Sequence, residues 1–203
     1  MLDYETIKPY IEQGLVKEQR HPECQELAIF NYTPLCQFTK AWDDVTLRCR
    51  GFILNTVTDE IIAHPFKKFF NYEEHIANEK YLPTEEPIIE EKLDGSLGIL
   101  YWLKGEPWIA TRGSFMSEQA QWATRWFRTL PFFKQHQWDI LQNNHITHLF
   151  EIVCPASRVV VQYDFEGLVY LACLNRYTGQ DVLPMPQFPY FKYPRRLNHI
   201  GLS

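Results

Sequence analysis

Glu90-Glu91-Lys92-Leu93-Asp94-Gly95-Ser96 stands between two apolar segments, Pro87-Ile88-Ile89 and Leu97-Gly98-Ile99-Leu100-Tyr101-Trp102. Asp-Gly between apolar runs is a hairpin signal, because a tight turn demands backbone angles that few other residues accept. The stretch therefore predicts a short strand ending at Lys92, a bend, and a second strand from Leu97. Such a support would hold the Lys92 amine on a rigid, sharply turned backbone. Two readings start from here: a nucleophile loop, or an ordinary surface lysine beside a turn.

Working outward on the downstream side, Leu97–Leu103 and Pro107–Ala110 predict a hairpin around Lys104-Gly105-Glu106. The chain then leaves the sheet through Thr111-Arg112-Gly113-Ser114. Ser117 followed by Glu118 is a helix start, and Met116, Ala120, Ala123 and Phe127 supply its apolar stripe until Pro131. A second helix is predicted from about Phe132 to Gln142, stopping at Asn143-Asn144. Ile146–Val153 alternates as a strand does, with Thr147, Leu149, Glu151 and Val153 on one face. Glu151 is thus a carboxylate within an apolar strand, and burying it without a partner would be costly. The partner could be a structural Arg or Lys, a ligand hydroxyl, a metal ion, or Lys92. Arg158–Tyr163 and Leu168–Asn175 complete the sheet, and a proline-rich, basic and aromatic tail over 184–203 predicts irregular structure.

On the upstream side, Tyr4, Ile7, Ile11 and Leu15 have the spacing of an amphipathic helix closed by Gly14. Glu26–Tyr32 predicts a strand that ends in a turn at Pro34. Thr46–Leu54 and Glu60–Ala63 predict a second hairpin. His64-Pro65-Phe66-Lys67-Lys68-Phe69-Phe70-Asn71-Tyr72 then mixes two lysines with aromatic rings, a composition that suits stacking on a base and charge contact with phosphates.

The bulk properties narrow the class. At 203 residues and 45% hydrophobic, the chain can bury one sizeable core, so one domain over 1–203 is the simpler organisation. Fifteen per cent aromatic residues exclude a disordered chain. A net charge of −5 argues against a protein that coats nucleic acid through its overall field, although it permits a local basic site. Five cysteines without a C-x-x-C pair predict reduced thiols in a cytoplasmic protein rather than a zinc site or disulfides. No apolar run reaches the roughly 20 residues of a membrane span. Neither common glycine-rich phosphate loop is present.

Lys92-Leu93-Asp94-Gly95-Ser96 resembles the K-x-D-G signature of covalent nucleotidyltransferases, the ATP-dependent DNA and RNA ligases and messenger-RNA capping enzymes. Arg50-Gly51-Phe52, Pro65–Asn71, Ala110–Phe115, and Phe150–Val153 with Pro155 and Arg158–Val161 narrow the resemblance, in the same order along the chain, to the N-terminal part of bacteriophage T4-type RNA ligases. It covers roughly Tyr32 to Gly179. The resemblance implies an α+β fold of mainly antiparallel sheets with flanking helices, a nucleotidyltransferase (ATP-grasp-like) ligase core. It implies ATP and Mg²⁺ as cofactors, RNA ends as substrates, and Lys92 as the nucleophile that takes up AMP before its transfer to an RNA 5′-phosphate and displacement by a 3′-hydroxyl. By the same resemblance Arg50 and Lys68 hold phosphates, Tyr32 lines the nucleotide pocket, and Glu151 contacts the ribose or the metal-water shell. Asp94 and Gly95 belong to the motif itself. Arg112 stands where the family tends to carry a lysine, which keeps the charge and changes the donor geometry. Glu90 would share a face with Lys92 if the strand continued, so it is expected to turn away or be paired.

The sequence departs from the family at its downstream end. No K-x-K occurs anywhere in the chain. Glu166-Gly167-Leu168-Val169 imitates the E-G-hydrophobic motif only fifteen positions (166 − 151) after Glu151, and is read as a turn before a strand. The chain thus resembles a ligase core truncated at its C-terminal end. The alternatives are an RNA-repair ligase that is short or completed by another polypeptide, a degenerate or split relative that binds ATP or RNA ends without ligating by itself, and an interaction domain with an incidental turn.

Overall fold

Alternation along β2 decides the architecture. The computed structural model describes residues 2–77, 86–131, 141–142, 145–155 and 163–197. Within β2 (Cys24–Tyr32), Leu27 and Ile29 point to one face while Ala28 and Phe30 point to the other, and all four are buried. A strand apolar on both faces needs a layer on each side. Four strands, β1 (Val16–His21), β2, β3 (Arg50–Asn55) and β4 (Ile61–Ala63), form the first antiparallel sheet in that order. Its outer face is covered by α1 (Tyr4–Glu12), whose Ile7 packs with Phe30, Phe52 and Leu54. Asp3 caps α1 by accepting the Thr6 backbone N–H at 2.8 Å.

The second sheet has the order β6-β5-β7-β8, from β5 (Ser96–Leu103), β6 (Glu106–Thr111), β7 (Ile146–Val153) and β8 (Gly167–Asn175), again antiparallel. Its inner residues Ile99, Tyr101, Ala110, Leu149 and Leu174 meet Leu27, Ile29 and Ile53 of the first sheet. Its outer face carries Phe150, Ile152 and Tyr170, on which α5 (Glu118–Arg128) lays Ala123 and Phe127. Ser117 caps α5 as its sequence position predicts. Fully burying one such Ile or Phe contributes about 1.5–3 kcal/mol, so the inter-sheet core is the main source of rigidity beneath the site. The mixed, mainly antiparallel fold agrees with the α+β expectation.

Several local expectations are corrected. Pro87-Ile88-Ile89 forms no strand, and Asp94-Gly95 is no hairpin turn, since β5 pairs with β6 and β7 instead. The reason is that the Lys92 stretch finds its backbone partner in the tail, where Glu90 bridges Arg196. The segment after Tyr32 is the short helix α2 (Pro34–Thr39), with Thr33 as its cap and Pro34 in its first turn. Thr46–Leu54 is not one strand: α3 (Asp44–Arg48) precedes β3, because Asp43 and Thr46 form a reciprocal capping box. The basic aromatic stretch leads into α4 (Tyr72–Ala77). Most of the second helix predicted over Phe132–Gln142 and most of the strand predicted over Arg158–Tyr163 lie outside the described residues. Residues 184–197 contain no helix or strand, as the proline content predicts.

Candidate active site

At one end of the inter-sheet core, the sheets leave a cavity of about 670 Å³. Its walls come from separate pieces of chain: Arg50 at the start of β3, Lys92, Leu93 and Gly95 to Leu97 at the entry to β5, Thr111 and Arg112 at the end of β6, Glu151 in β7 and Leu171 in β8. Leu171 owes its place to a bulge, because Leu149 pairs with Ala172 and Phe150 with Tyr170, leaving Leu171 as the extra residue. Leu97, paired across to Glu151, gives the floor its other apolar patch. A pocket with an apolar floor and charged walls suits a ligand that is partly ring and partly anion.

Two glycines permit the convergence. Gly51 has φ +91, which disfavours any side chain, and a Cβ there would lie 2.5 Å from Ile99 Cδ1 and 3.3 Å from the Arg112 backbone. It therefore lets β3 approach the end of β6 and brings Arg50 beside Arg112. A Cβ on Gly95 would sit 2.4 Å from the Ile152 carbonyl oxygen and 3.1 Å from Glu151 Cγ. Gly95 is needed for this close approach to β7, and not for a hairpin turn.

Electrostatically the cavity is unrelaxed. Arg50 is half-buried; burial lowers its affinity for a proton and the neighbouring Arg112 lowers it further. Its Nη1 is buried without a hydrogen-bond partner among the described residues, and its guanidinium lies 5.0 Å from the centre of the exposed Phe69 ring. Glu151 is the carboxylate facing these cations. Burial raises its pKa, and the Gly95 backbone N–H, Lys92 and Arg50 only partly oppose that. The exposed Lys92 amine donates weakly to the Leu93 carbonyl at 3.5 Å. The Asp94 backbone N–H donates to the Tyr163 hydroxyl at 2.7 Å.

Of the residues singled out from sequence, Arg50, Lys92, Gly95, Arg112 and Glu151 line the cavity together. Asp94 adjoins it through its neighbours. Tyr32 is buried behind the wall, where its hydroxyl accepts from Arg112 Nη1 at 3.3 Å. Lys68 does not line the cavity; its amine lies 4.2 Å from the centre of the Phe70 ring and 5.9 Å from that of Trp42. Glu90 and Glu91 do line it, each held by a tail arginine: Arg196 at 3.6 Å and Arg195 at 3.7 Å. Glu90 is therefore paired, as expected. Glu166 is exposed and Gly167 opens β8.

The sequence marks Phe69 only as one ring of a basic aromatic stretch suited to a base, and it assigns no site role to Tyr163 or to the tail. Nothing local marks Pro194, which reaches the wall from the proline-rich segment.

Among the described residues no three or more His, Cys, Asp or Glu side chains converge as a metal cage. The donor set fits Mg²⁺ of the kind held by one or two carboxylates together with substrate phosphates and water. No described helix is long and apolar enough to cross a membrane.

Comparison with known proteins places these residues in context. A family model described as RNA ligase matches residues 48–191. The chain is 31% identical over 209 aligned residues to a protein of Autographa californica nuclear polyhedrosis virus named as a bifunctional polynucleotide kinase/RNA ligase, covering 93% of this chain and 29% of the viral protein. It is 27% identical to an RNA ligase of Rhodothermus phage RM378, covering 72% of this chain and 40% of that protein. The chain thus spans well under half the length of these relatives. Among solved structures, one described as an ATP-dependent DNA ligase from Aquifex aeolicus superposes with a TM-score of 0.53 at 18% identity, over 85% of this chain and 43% of its own. At that identity the likeness concerns the fold.

Proposed function

Because the chain belongs to the T4-type RNA ligase family, we propose that its cavity takes up ATP and that Lys92 accepts AMP covalently on the way to joining RNA 5′-phosphate and 3′-hydroxyl ends. The observation that carries this reading is the meeting of Arg50, Lys92, Arg112 and Glu151 in one cavity from four distant parts of the sequence. A lysine beside an incidental turn would have no reason to face two arginines and a half-buried carboxylate.

The chemistry follows from the charges. The unprotonated Lys92 amine attacks the α-phosphorus of ATP, so a nitrogen–phosphorus bond forms. The bond from that phosphorus to the bridging oxygen breaks, and pyrophosphate leaves with the electron pair. The nitrogen gives up its remaining extra proton to solvent. Arg50 and Arg112 stabilise the charge that gathers on the phosphate oxygens, and in a partly desolvated site such preorganised donors count for more than in water. Phe69, exposed at the wall, offers a face to the base, while Glu151 contacts the ribose or the water around a metal ion. Mg²⁺, held by Glu151 and the phosphates, would supply Lewis-acid charge for the leaving pyrophosphate. Lys68 acts on phosphate in this scheme only if its amine leaves the Phe70 and Trp42 rings when the nucleotide binds.

A second reading is that the cavity binds ATP or RNA ends without catalysing ligation by itself. Incubation with α-labelled ATP and Mg²⁺, followed by denaturation, separates the two. Covalent label on the wild type that is absent from Lys92→Ala supports the first. Wild type that takes up none, yet unfolds at a higher temperature in ATP, supports binding without catalysis.

A further inference from the structure

The loop that carries Lys92 lies outside the regular sheets, so its position must be fixed by something else. Immediately before Lys92, the Glu91 backbone N–H donates to the Arg195 carbonyl at 2.9 Å, and the Leu197 N–H donates to the Ile89 carbonyl at 2.9 Å. The Arg195 N–H donates to Glu91 Oε1 at 3.0 Å. Arg195 and Arg196 also face Glu91 and Glu90 in ion pairs. Residues 195–197 thus run antiparallel to 89–91 as a miniature two-stranded ladder, with Pro194 inside the cavity wall.

The other end of the tail is anchored in the core. Phe191 is buried, with its ring stacked near those of Phe127 and Tyr170, at centroid distances of 6.1 and 6.0 Å. The Tyr193 hydroxyl accepts the Phe188 backbone N–H at 2.6 Å, and the Tyr170 backbone N–H donates to the Lys192 carbonyl at 2.8 Å. Tyr170 lies on β8, beside the β7 strand that carries Glu151. A continuous path therefore runs from the core under Glu151, through Phe191 and Tyr193, to the backbone next to Lys92.

We propose that the segment Pro194–Leu197 is a positioning strap of the active site, with Arg195 and Arg196 as positioning residues that hold Glu90 and Glu91 and so fix Lys92 against Glu151. The inference rests on the reading of Lys92 as the AMP acceptor. Exposed ion pairs add little stability, so the strap's effect is on geometry: a displacement of about 1 Å in a reacting group can cost on the order of 10²-fold in rate. The two arginines serve this role by pairing with the carboxylates that would otherwise draw the Lys92 side chain away from an incoming phosphate.

Charge reversal tests it in the full chain. Arg195→Glu with Arg196→Glu sets like charges against Glu90 and Glu91. The expected result is a tenfold or greater fall in the rate of lysine adenylylation, with the half-saturating ATP concentration changed less than threefold. Adding Glu90→Arg and Glu91→Arg restores opposite pairs, at the loss of the carboxylate that accepts the N–H of residue 195, and recovers part of the rate. Leu197→Pro, which removes the donor to Ile89, lowers the rate without that rescue. An unchanged rate in the first variant, or no recovery in the fourfold variant, overturns the proposal; the latter outcome points to the arginines acting directly on a phosphate. Amide hydrogen exchange separates this from failure of the function itself. Protection of the backbone amide at position 91 is expected to fall in the double variant and return in the fourfold one, with no nucleotide present. Unchanged protection overturns the strap even if the protein never takes up AMP.

Discussion

Asp43 and Glu151 are both carboxylates next to the cavity-bearing sheets, and the protein treats them in opposite ways. Asp43, at the corner where α3 begins, accepts from the Tyr10 hydroxyl at 2.6 Å, the Val45 and Thr46 backbone N–H groups at 3.0 and 2.9 Å, and the Thr46 hydroxyl at 3.1 Å. Burial alone would raise its pKa, but the Tyr10 and Thr46 bonds outweigh it and hold the group below its ordinary value. Glu151 shows the reverse balance, with burial dominant and its pKa raised. Across the cavity, Arg50 keeps a buried Nη1 unpartnered by described residues. The corner is satisfied within the chain and serves stability, whereas the cavity holds polar groups at a cost.

The largest expected effect comes from closing the gap that lets the cavity form. Gly95→Ala puts a Cβ against the Ile152 carbonyl, and overpacking of this kind costs about 1–3 kcal/mol, measurable by urea unfolding. Adenylylation is expected to fall by at least tenfold in the same variant. Asp43→Ala, in the satisfied corner, removes a helix cap worth about 0.5–2 kcal/mol and leaves the rate of adenylylation unchanged in folded protein. If Asp43→Ala lowers that rate as much as Gly95→Ala does, the two regions are not separate in the way described.

A smaller effect of opposite sign is expected from Glu151→Gln. Relieving a desolvated charge is expected to stabilise the fold by about 0.5–2 kcal/mol above neutral pH while AMP uptake drops. The two carboxylates also give opposite pH trends. For Glu151 the folded-state pKa is raised, so its contribution to stability is fully present below the unfolded pKa and is lost as pH rises through the folded one. For Asp43 the folded-state pKa is depressed, so its contribution is present above the unfolded pKa and is lost as pH falls through the folded one. Urea unfolding across pH is expected to show Glu151→Gln flattening the first trend and Asp43→Ala the second. The least effect on catalysis is expected from Lys68→Met if the lysine remains with the Phe70 and Trp42 rings: a change below threefold in adenylylation keeps it outside the site, and a loss above tenfold brings it in.

Much of the fold was legible where a local rule and the tertiary demand agree. The alternation of β7 marked its limits at Ile146 and Val153, and Ser117 marked the start of α5. Glu151 stood out because a carboxylate in an apolar strand requires a partner. The Lys92 loop misled because Asp94-Gly95 has the chemistry of a hairpin turn, whereas Gly95 is required by the backbone of β7 more than fifty positions away. The tail was unreadable for the same reason: its partner, Glu91, lies 104 positions from Arg195, and a proline-rich segment has no period to betray a pairing. The helix α3 overlaps the strand predicted from Thr46 because the capping box of Asp43 and Thr46 outweighs the β-preference of Val45 and Thr46.

The central claim is that Lys92 is the group that receives AMP. Protein incubated with ATP and Mg²⁺, digested under denaturing conditions and read by mass spectrometry, is expected to carry one AMP on the peptide containing Lys92 and on no other. AMP found on Lys67, Lys68 or another side chain, with Lys92 unmodified, would contradict the account.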